Sequence, residues 1–263
     1  MIQFKFGRNW RSFSKSALDE NKVNQARGAF FDLLQEVNLK DKSFLDIGFG
    51  QGLALFFAQE SGANVFGIDI DSDNQEAVMS TKRFFPSLAM PKTETASVLD
   101  NSFVEKYLKA GGFDIVHSWG VLHHTGNMYR AILNAIKLVK PDGMLIIAIY
   151  NTHWSSPAWK VIKWTFNHVP GFIQTLMINL FYPAIYIAKW MVTKENPMKK
   201  ERGMDFYHDV IDWVGGYPYE YATVEEITQF VEAHGLKIVK TQPAKVPTGC
   251  NEFVFGRKIV IVK

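Results

Sequence analysis

Cysteine is nearly absent. Cys250 stands alone among 263 residues, which excludes an internal disulfide and any zinc site built from several cysteines, and makes a reducing cytoplasm the simplest home. The opening stretch, Met1-Ile2-Gln3-Phe4-Lys5-Phe6-Gly7-Arg8, lacks the long apolar core of a secretory signal. There is no internal repeat and no low-complexity tract. Excess charge of one sign is missing too. The net charge is +3 and the basic residues form no long stripe, so a nucleic-acid partner is disfavoured. Composition leaves the oligomeric state open.

What is abundant is apolar. Hydrophobic residues make up 47% and Trp, Tyr and Phe together 14%, enough for one large core, or one core with an accessory subdomain. Ser43–Ile47 predicts a first strand, with a helix to about Ser61 before Gly62. Asn64–Ile68 predicts a second, followed by a helix over Asn74–Phe85 that stops at Pro86. A third strand is expected near Thr93–Val98 and a fourth over Phe113–Ser118. A helix over Met128–Val139, a turn at Lys140-Pro141-Asp142-Gly143 and a buried strand Met144–Tyr150 follow. Thr223 and Glu226 can form a capping box for a helix to His234, and Leu236–Thr241 and Glu252–Val262 read as closing strands.

This alternation predicts an α/β fold: a Rossmann-like, seven-stranded, mainly parallel sheet with helices on both faces. Residues 151–221 break the rhythm, carrying no strand signal and many Trp, Phe, Tyr and Met. They predict a helical insert after the fifth strand, within a sheet domain made of residues 1–150 and 222–263. Residues 1–42 form a leader in which Ala26, Ala29, Phe30, Leu33, Leu34 and Val37 recur at helical spacing. That helix covers a sheet edge, or acts as a lid with Asn9 and Trp10 facing a ligand.

The first strand runs into Asp46-Ile47-Gly48-Phe49-Gly50-Gln51-Gly52, and a helical pattern starts at Leu53. Strand, glycine turn and helix N-terminus together make a nucleotide-type site. A dinucleotide fold prefers G-x-G-x-x-G, whereas this loop reads G-x-G-x-G. Asp46 beside the loop would repel a pyrophosphate but attract a cation or accept hydrogen bonds from an ammonium group. Asp69, closing the second strand, is placed to accept ribose hydroxyls under either reading. A cofactor with an amino-acid end and no phosphate fits better, namely S-adenosylmethionine. Asp71 caps the next helix or meets the ligand.

Phe44-Leu45-Asp46-Ile47-Gly48-Phe49-Gly50-Gln51-Gly52, then Gly67-Ile68-Asp69-Ile70-Asp71, Val121-Leu122-His123-His124 and Pro141-Asp142-Gly143 occur in an order that resembles class I S-adenosylmethionine-dependent methyltransferases. The likeness is greatest to the branch that includes the ubiquinone-biosynthesis O-methyltransferases. The resemblance implies Asp46 and Gly48 near the methionine end, with Gly50 and Gly52 shaping the loop. It also implies Asp69 on the ribose, Ile70 in the adenine slot, Ser97 and Val98 at the adenine edge, and Ser118 offering backbone to the methionine portion. Phe49 departs from the usual small residue and Ser97 from the usual acid. Acids that contribute to a metal site in that branch are replaced here by Gly120 and His123, so no metal is implied.

Methyl transfer to a hydroxyl needs in-line positioning, exclusion of water and a proton acceptor. His123 and His124 follow the fourth strand at the carboxyl edge where α/β ligands bind, and His208 lies in the insert among Asp209, Asp212, Tyr217, Tyr219 and Glu220. These three histidines are the candidate bases. Phe172 to Val192 is nearly all apolar, about the length of a membrane span. Because the closing strands must rejoin the same sheet, it reads instead as a substrate cap or as a peripheral membrane contact over residues 157–202. In the second case Trp159, Trp164, Trp190, Lys194, Lys199, Lys200 and Arg202 would rest on anionic lipid. The expected function is methyl transfer from S-adenosylmethionine, with S-adenosylhomocysteine as product, to an oxygen of a small-molecule or lipid-like acceptor. N-methylation, a non-catalytic cofactor-binding or membrane-docking role and, last, a nicotinamide-dependent oxidoreductase are the alternatives.

Overall fold

Strands β1 (Ser43–Ile47), β2 (Asn64–Asp69), β3 (Lys92–Thr95), β4 (Phe113–Trp119), β5 (Val139–Tyr150), β6 (Lys237–Gln242) and β7 (Cys250–Gly256) form one sheet in the order β3-β2-β1-β4-β5-β7-β6. The structure is a computed structural model and describes residues 3–34, 37–198 and 204–257. β7 runs antiparallel to both its neighbours and the other adjacent pairs are parallel. The predicted mainly parallel seven-stranded sheet is therefore present. Strand order reverses between β1 and β4, and in an open α/β sheet the crevice at that switch point is where ligands bind.

Helices α1 (Phe6–Ser16), α2 (Glu20–Leu33), α3 (Leu53–Glu60), α4 (Asp73–Thr81), α5 (Asn101–Lys109), α6 (Met128–Lys137) and α10 (Val224–Ala233) surround the sheet. One face buries Leu45, Val116, Ile147 and Phe255 against Ile132 and Ile227. The other buries Phe44, Ile115 and Ile146 against Phe30, Leu55 and Phe57. α10 carries the predicted capping box, with Thr223 and Glu226 each bonded to the other's backbone.

Four expectations need correction. The leader holds two helices, and α1 escapes a search for apolar periodicity because its buried residues include Gly7, Asn9 and Ser14 beside Phe13. β3 stops at Thr95, so Ser97 and Val98 lie on the loop beyond it. The strand pattern passes over α5, which Asp100 caps by accepting the Ser102 N–H at 2.9 Å. Lys140-Pro141-Asp142-Gly143 is no turn ahead of β5 but an irregularity inside it. Phe113 pairs with Val139 and Ile115 with Met144, so the extra residues bulge out between them. The part of the last predicted strand beyond residue 257 lies outside the described residues.

The chain leaves the sheet at Asn151 and returns at Ala222, and those two residues form a bridge. Between them lie α7 (Ser156–His168), α8 (Gly171–Thr193) and α9 (Phe206–Gly215). Phe166, Ile185, Phe206, Val210 and Val214 bury a small core of their own. α8 is long and apolar enough to cross a membrane by length and composition alone, yet only 6% of its most apolar window is buried. Lys199, Lys200 and Arg202 fall outside the described residues.

Candidate functional site

At the switch point a cavity of about 460 Å³ runs along the carboxyl ends of β1, β2 and β4. Its floor is the glycine loop. Gly48 has φ +76° and an added Cβ would lie 2.4 Å from Val121, so only glycine fits both the turn and the close approach. Gly52 (φ +80°) starts α3 and packs on Val78 outside the cavity lining. Gly50 turns toward the indole of Trp10. The bulky Phe49 is accommodated because β2 offers Gly67 opposite it. A Cβ there would come 2.9 Å from the Phe49 ring.

Asp69 ties the loop to β2. Its carboxylate accepts the N–H groups of Gly50 (3.1 Å) and Asp71 (3.0 Å). Burial raises its pKa to about 6, against the lowering effect of those two amides and the Asn74 side chain. Close by, Gln51 Oε1 and Asn74 Oδ1 are buried with no hydrogen-bond partner among the described residues, and both residues line the cavity. A buried acceptor without a donor is costly, so these atoms mark a place for a donor-bearing ligand. Orphaned acceptors beside a carboxylate and a tight glycine cradle suit a ribose-bearing cofactor. This set of acceptors fits S-adenosylmethionine.

Asp46 is buried and lines the cavity, but its Oδ1 is engaged by His117 Nδ1 at 2.7 Å. The expectation that this carboxylate awaits an ammonium group therefore meets a competitor on β4. Ile70, Ser97 and Val98 line the cavity as expected of an adenine side. Ser118 does not. It is fully buried and its hydroxyl donates to the Ile47 carbonyl (2.9 Å), locking β4 to β1. Asp71 serves as a structural acceptor, taking the N–H of Asp73 (3.0 Å) and of Gly7 (2.9 Å).

α1 lies across the site. Gly7 is bonded to Asp71, and Arg11 pairs with Asp73 at 3.1 Å. On the other side Asn9 Nδ2 donates to Asp212 Oδ1 (2.6 Å) and to the His208 carbonyl (3.0 Å). Trp10 lines the cavity, whereas Asn9 turns away to α9.

The three histidines separate. His124 lines the cavity, and its Nδ1 is 2.6 Å from the Pro218 carbonyl, which makes that nitrogen the donor. Burial pushes it down to about 3, with the Lys163 charge adding to the effect. His123 is fully buried behind it, accepts the Tyr150 N–H at 3.3 Å, and is held well below its ordinary value by burial. His208 lies outside the lining, between Asp205 Oδ1 (2.5 Å) and Ser12 Oγ (3.2 Å). Neither Asp209 nor Asp212 orients it. Among the three candidate bases only His124 borders the cavity.

Trp213, Asp209 and Asp212 bring the insert into the cavity wall, beside Tyr150 at the end of β5. Behind them Lys163 is wholly buried, its Nζ bonded to the Trp213 carbonyl and 4.5 Å over the Trp213 ring. Burial brings this lysine down to about 7, opposed by Asp212 and Asp209. Gln51, Asn74, His117 and Lys163 escaped the sequence reading. Only their tertiary neighbours distinguish them from surface polar residues.

Residues 23–241 match the family model described as a methyltransferase domain. Among curated relatives, a ubiquinone biosynthesis O-methyltransferase of Rhodopseudomonas palustris is 30% identical over 124 residues, 47% of this chain and 46% of the relative. The same-named protein of Coxiella burnetii is 25% identical over 150 residues, 56% of this chain and 60% of its own. The chain thus spans about half the length of the curated relatives it matches. Among solved structures, the magnesium protoporphyrin IX methyltransferase of Synechocystis PCC 6803 with bound SAH superposes with TM-score 0.58 at 16% identity, covering 95% of this chain and 94% of that one. An O-methyltransferase family protein of Burkholderia thailandensis gives 0.54 at 14%, covering 89% and 57%. At such identities the likeness is one of fold. The family match, spanning most of the sheet and the whole insert, carries more: this chain belongs to the methyltransferase domain family.

Proposed function

We propose that the protein transfers the methyl group of S-adenosylmethionine to an oxygen of a small, apolar or lipid-like acceptor, releasing S-adenosylhomocysteine. The observation that carries this reading is the continuity of the cavity. One space joins the glycine loop and Asp69 to Tyr150, His124 and Trp213 at the edge of the insert. An oxygen as the accepting atom is supported by the O-methyltransferase names of the curated relatives.

S-adenosylmethionine, when bound, supplies a methyl already activated on a sulfonium. The protein holds the acceptor in line, excludes water and takes a proton. Asp69 accepts the ribose hydroxyls, with Gln51 Oε1 and Asn74 Oδ1 as neighbouring acceptors. Gly48 and Gly50 admit close backbone approach, and Ile70, Ser97 and Val98 flank the adenine. Phe4, Phe6, Tyr150 and Trp213 make an apolar wall for the acceptor. His124, neutral because it is buried, keeps Nε2 as its acceptor nitrogen while Nδ1 donates to Pro218. A weak base suffices for a hydroxyl whose proton becomes acidic as the new oxygen–carbon bond forms.

In this reading residues 1–150 and 222–263 hold the cofactor and residues 151–221 supply the acceptor wall. The protein is cytoplasmic and touches the membrane peripherally through residues 157–202. Calorimetry should find that S-adenosylhomocysteine binds, that a nicotinamide dinucleotide does not, and that Asp69→Ala weakens the former. Tight dinucleotide binding overturns the cofactor. Labelled methyl transfer to phenols with and without a prenyl chain tests the acceptor, and transfer to amines alone overturns oxygen.

A further inference from the structure

We infer that α8 lies flat in the surface of an anionic phospholipid bilayer, its solvent-facing stripe sunk to the headgroup–acyl boundary. Phe172, Leu176, Leu180, Ala184, Ile187 and Met191 follow one another at intervals of three and four, so they share one helix face. Phe172 is 75% exposed, Leu176 65% and Leu180 67%. None of the six is charged, and a surface helix in water ordinarily shows the opposite pattern. A contiguous apolar stripe of this kind marks an interaction site.

The other side of α8 is already occupied. Ile185 is buried with Phe166 of α7 and with Phe206, Val210 and Val214 of α9. Lys189 Nζ is bonded to Asp209 of α9 at 2.6 Å. α7 and α9, which precede and follow α8, thus hold it against the same body. A helix held along its length in this way can rest on a bilayer but cannot span it.

Charge selects the occupant. Residues 157–202 carry seven Lys or Arg and two Glu, of which Lys163 is buried and Lys189 is paired with Asp209. Lys160 of α7 and Lys194 at the end of α8 are exposed, and Lys194 sits 5.9 Å over the half-exposed Trp190 ring. Trp164 is half-exposed as well. Amphipathic rings and long basic side chains around an apolar stripe suit the headgroup zone. A second copy docking stripe to stripe would bring this positive fringe against itself.

The inference deepens the membrane contact of the proposed function by naming the helix face and the lipid, and it needs no methyl transfer. The full chain is sedimented with vesicles of phosphatidylcholine mixed with phosphatidylglycerol, and with phosphatidylcholine alone. Binding to the anionic vesicles should be at least about tenfold tighter and should weaken with salt. A Leu176→Asp, Leu180→Asp double variant should lose binding while keeping its circular dichroism and its affinity for S-adenosylhomocysteine. A Lys160→Glu, Lys194→Glu variant should lose the preference for anionic lipid. Tryptophan quenching should be strongest with bromines near the headgroup end of the acyl chain. Absence of binding to anionic vesicles at low salt overturns the inference. So does a solution dimer that the Leu176→Asp, Leu180→Asp variant abolishes, or quenching strongest at the bilayer centre. Cofactor affinity is measured on the same samples, so failure of the methyl-transfer reading is distinguishable from failure of this one.

Discussion

Asp46 Oδ1 and His117 Nδ1 lie 2.7 Å apart across the β1–β4 pair, both side chains nearly sealed from solvent and both in the cavity wall. A carboxylate can only accept, so the imidazole donates. Phe44 stacks on the same ring at 5.6 Å and helps to hold it.

His117→Ala should leave the Asp46 carboxylate buried without its donor. A loss of about 1–3 kcal/mol in folding stability is expected, with weaker binding of S-adenosylhomocysteine. Urea denaturation and calorimetry measure the two effects, and an unchanged denaturation midpoint would contradict the pairing.

Asp69 predicts a pH dependence with two opposite signs. Its folded pKa is raised from 3.8 to about 6, chiefly by burial. The associated stability is fully present below the unfolded value and is lost as pH rises through about 6, roughly 3 kcal/mol in all. Cofactor binding runs the other way, because the ionised carboxylate is the better acceptor of hydroxyl protons. Affinity for S-adenosylhomocysteine should therefore fall as pH drops below about 6, and Asp69→Asn should abolish that dependence while binding at least about tenfold more weakly at neutral pH. A flat wild-type binding profile across that range would refute the assignment.

Lys163 acts in the alkaline range. Burial lowers its folded pKa from 10.5 to about 7. Its contribution is thus present above the unfolded value and is lost as pH falls through about 7. Relative to Lys163→Met, the wild type should lose at least about 1 kcal/mol between about pH 10 and about pH 7. Parallel denaturation curves for the two proteins at several pH values give the difference directly. A constant gap between them would mean that the lysine is not desolvated.

Gly48→Ala and Gly111→Ala make a matched pair. Both glycines have positive φ, +76° and +92°, but an added Cβ meets Val121 at 2.4 Å in the first and open space in the second. Gly111→Ala should cost only backbone strain, about 1 kcal/mol. Gly48→Ala should cost more and abolish binding of S-adenosylhomocysteine, because the loop must shift. Equal losses from thermal melts of the two variants would show that Val121 can give way.

The order and type of the sheet elements were legible in the chain because each depends on local pattern. A buried strand such as Leu145–Ile149 of β5 is apolar by itself, and the Thr223–Glu226 capping box is complete within four residues. The glycine loop and Asp69 were legible for the same reason, since strand, turn and acid lie close together in sequence. Tertiary structure decided what depends on distant partners. α1 binds through Asn9 and Gly7 to Asp212 and Asp71, neither of which lies near it in sequence. His117 and Lys163 gain their meaning from Asp46 and Trp213. Of the three candidate histidines only His124 borders the cavity, and that placement is not written in residue type. The insert shows the same division: its apolar run is plain in the sequence, but only packing determined which face of α8 is buried against α7 and α9 and which is left for water or lipid.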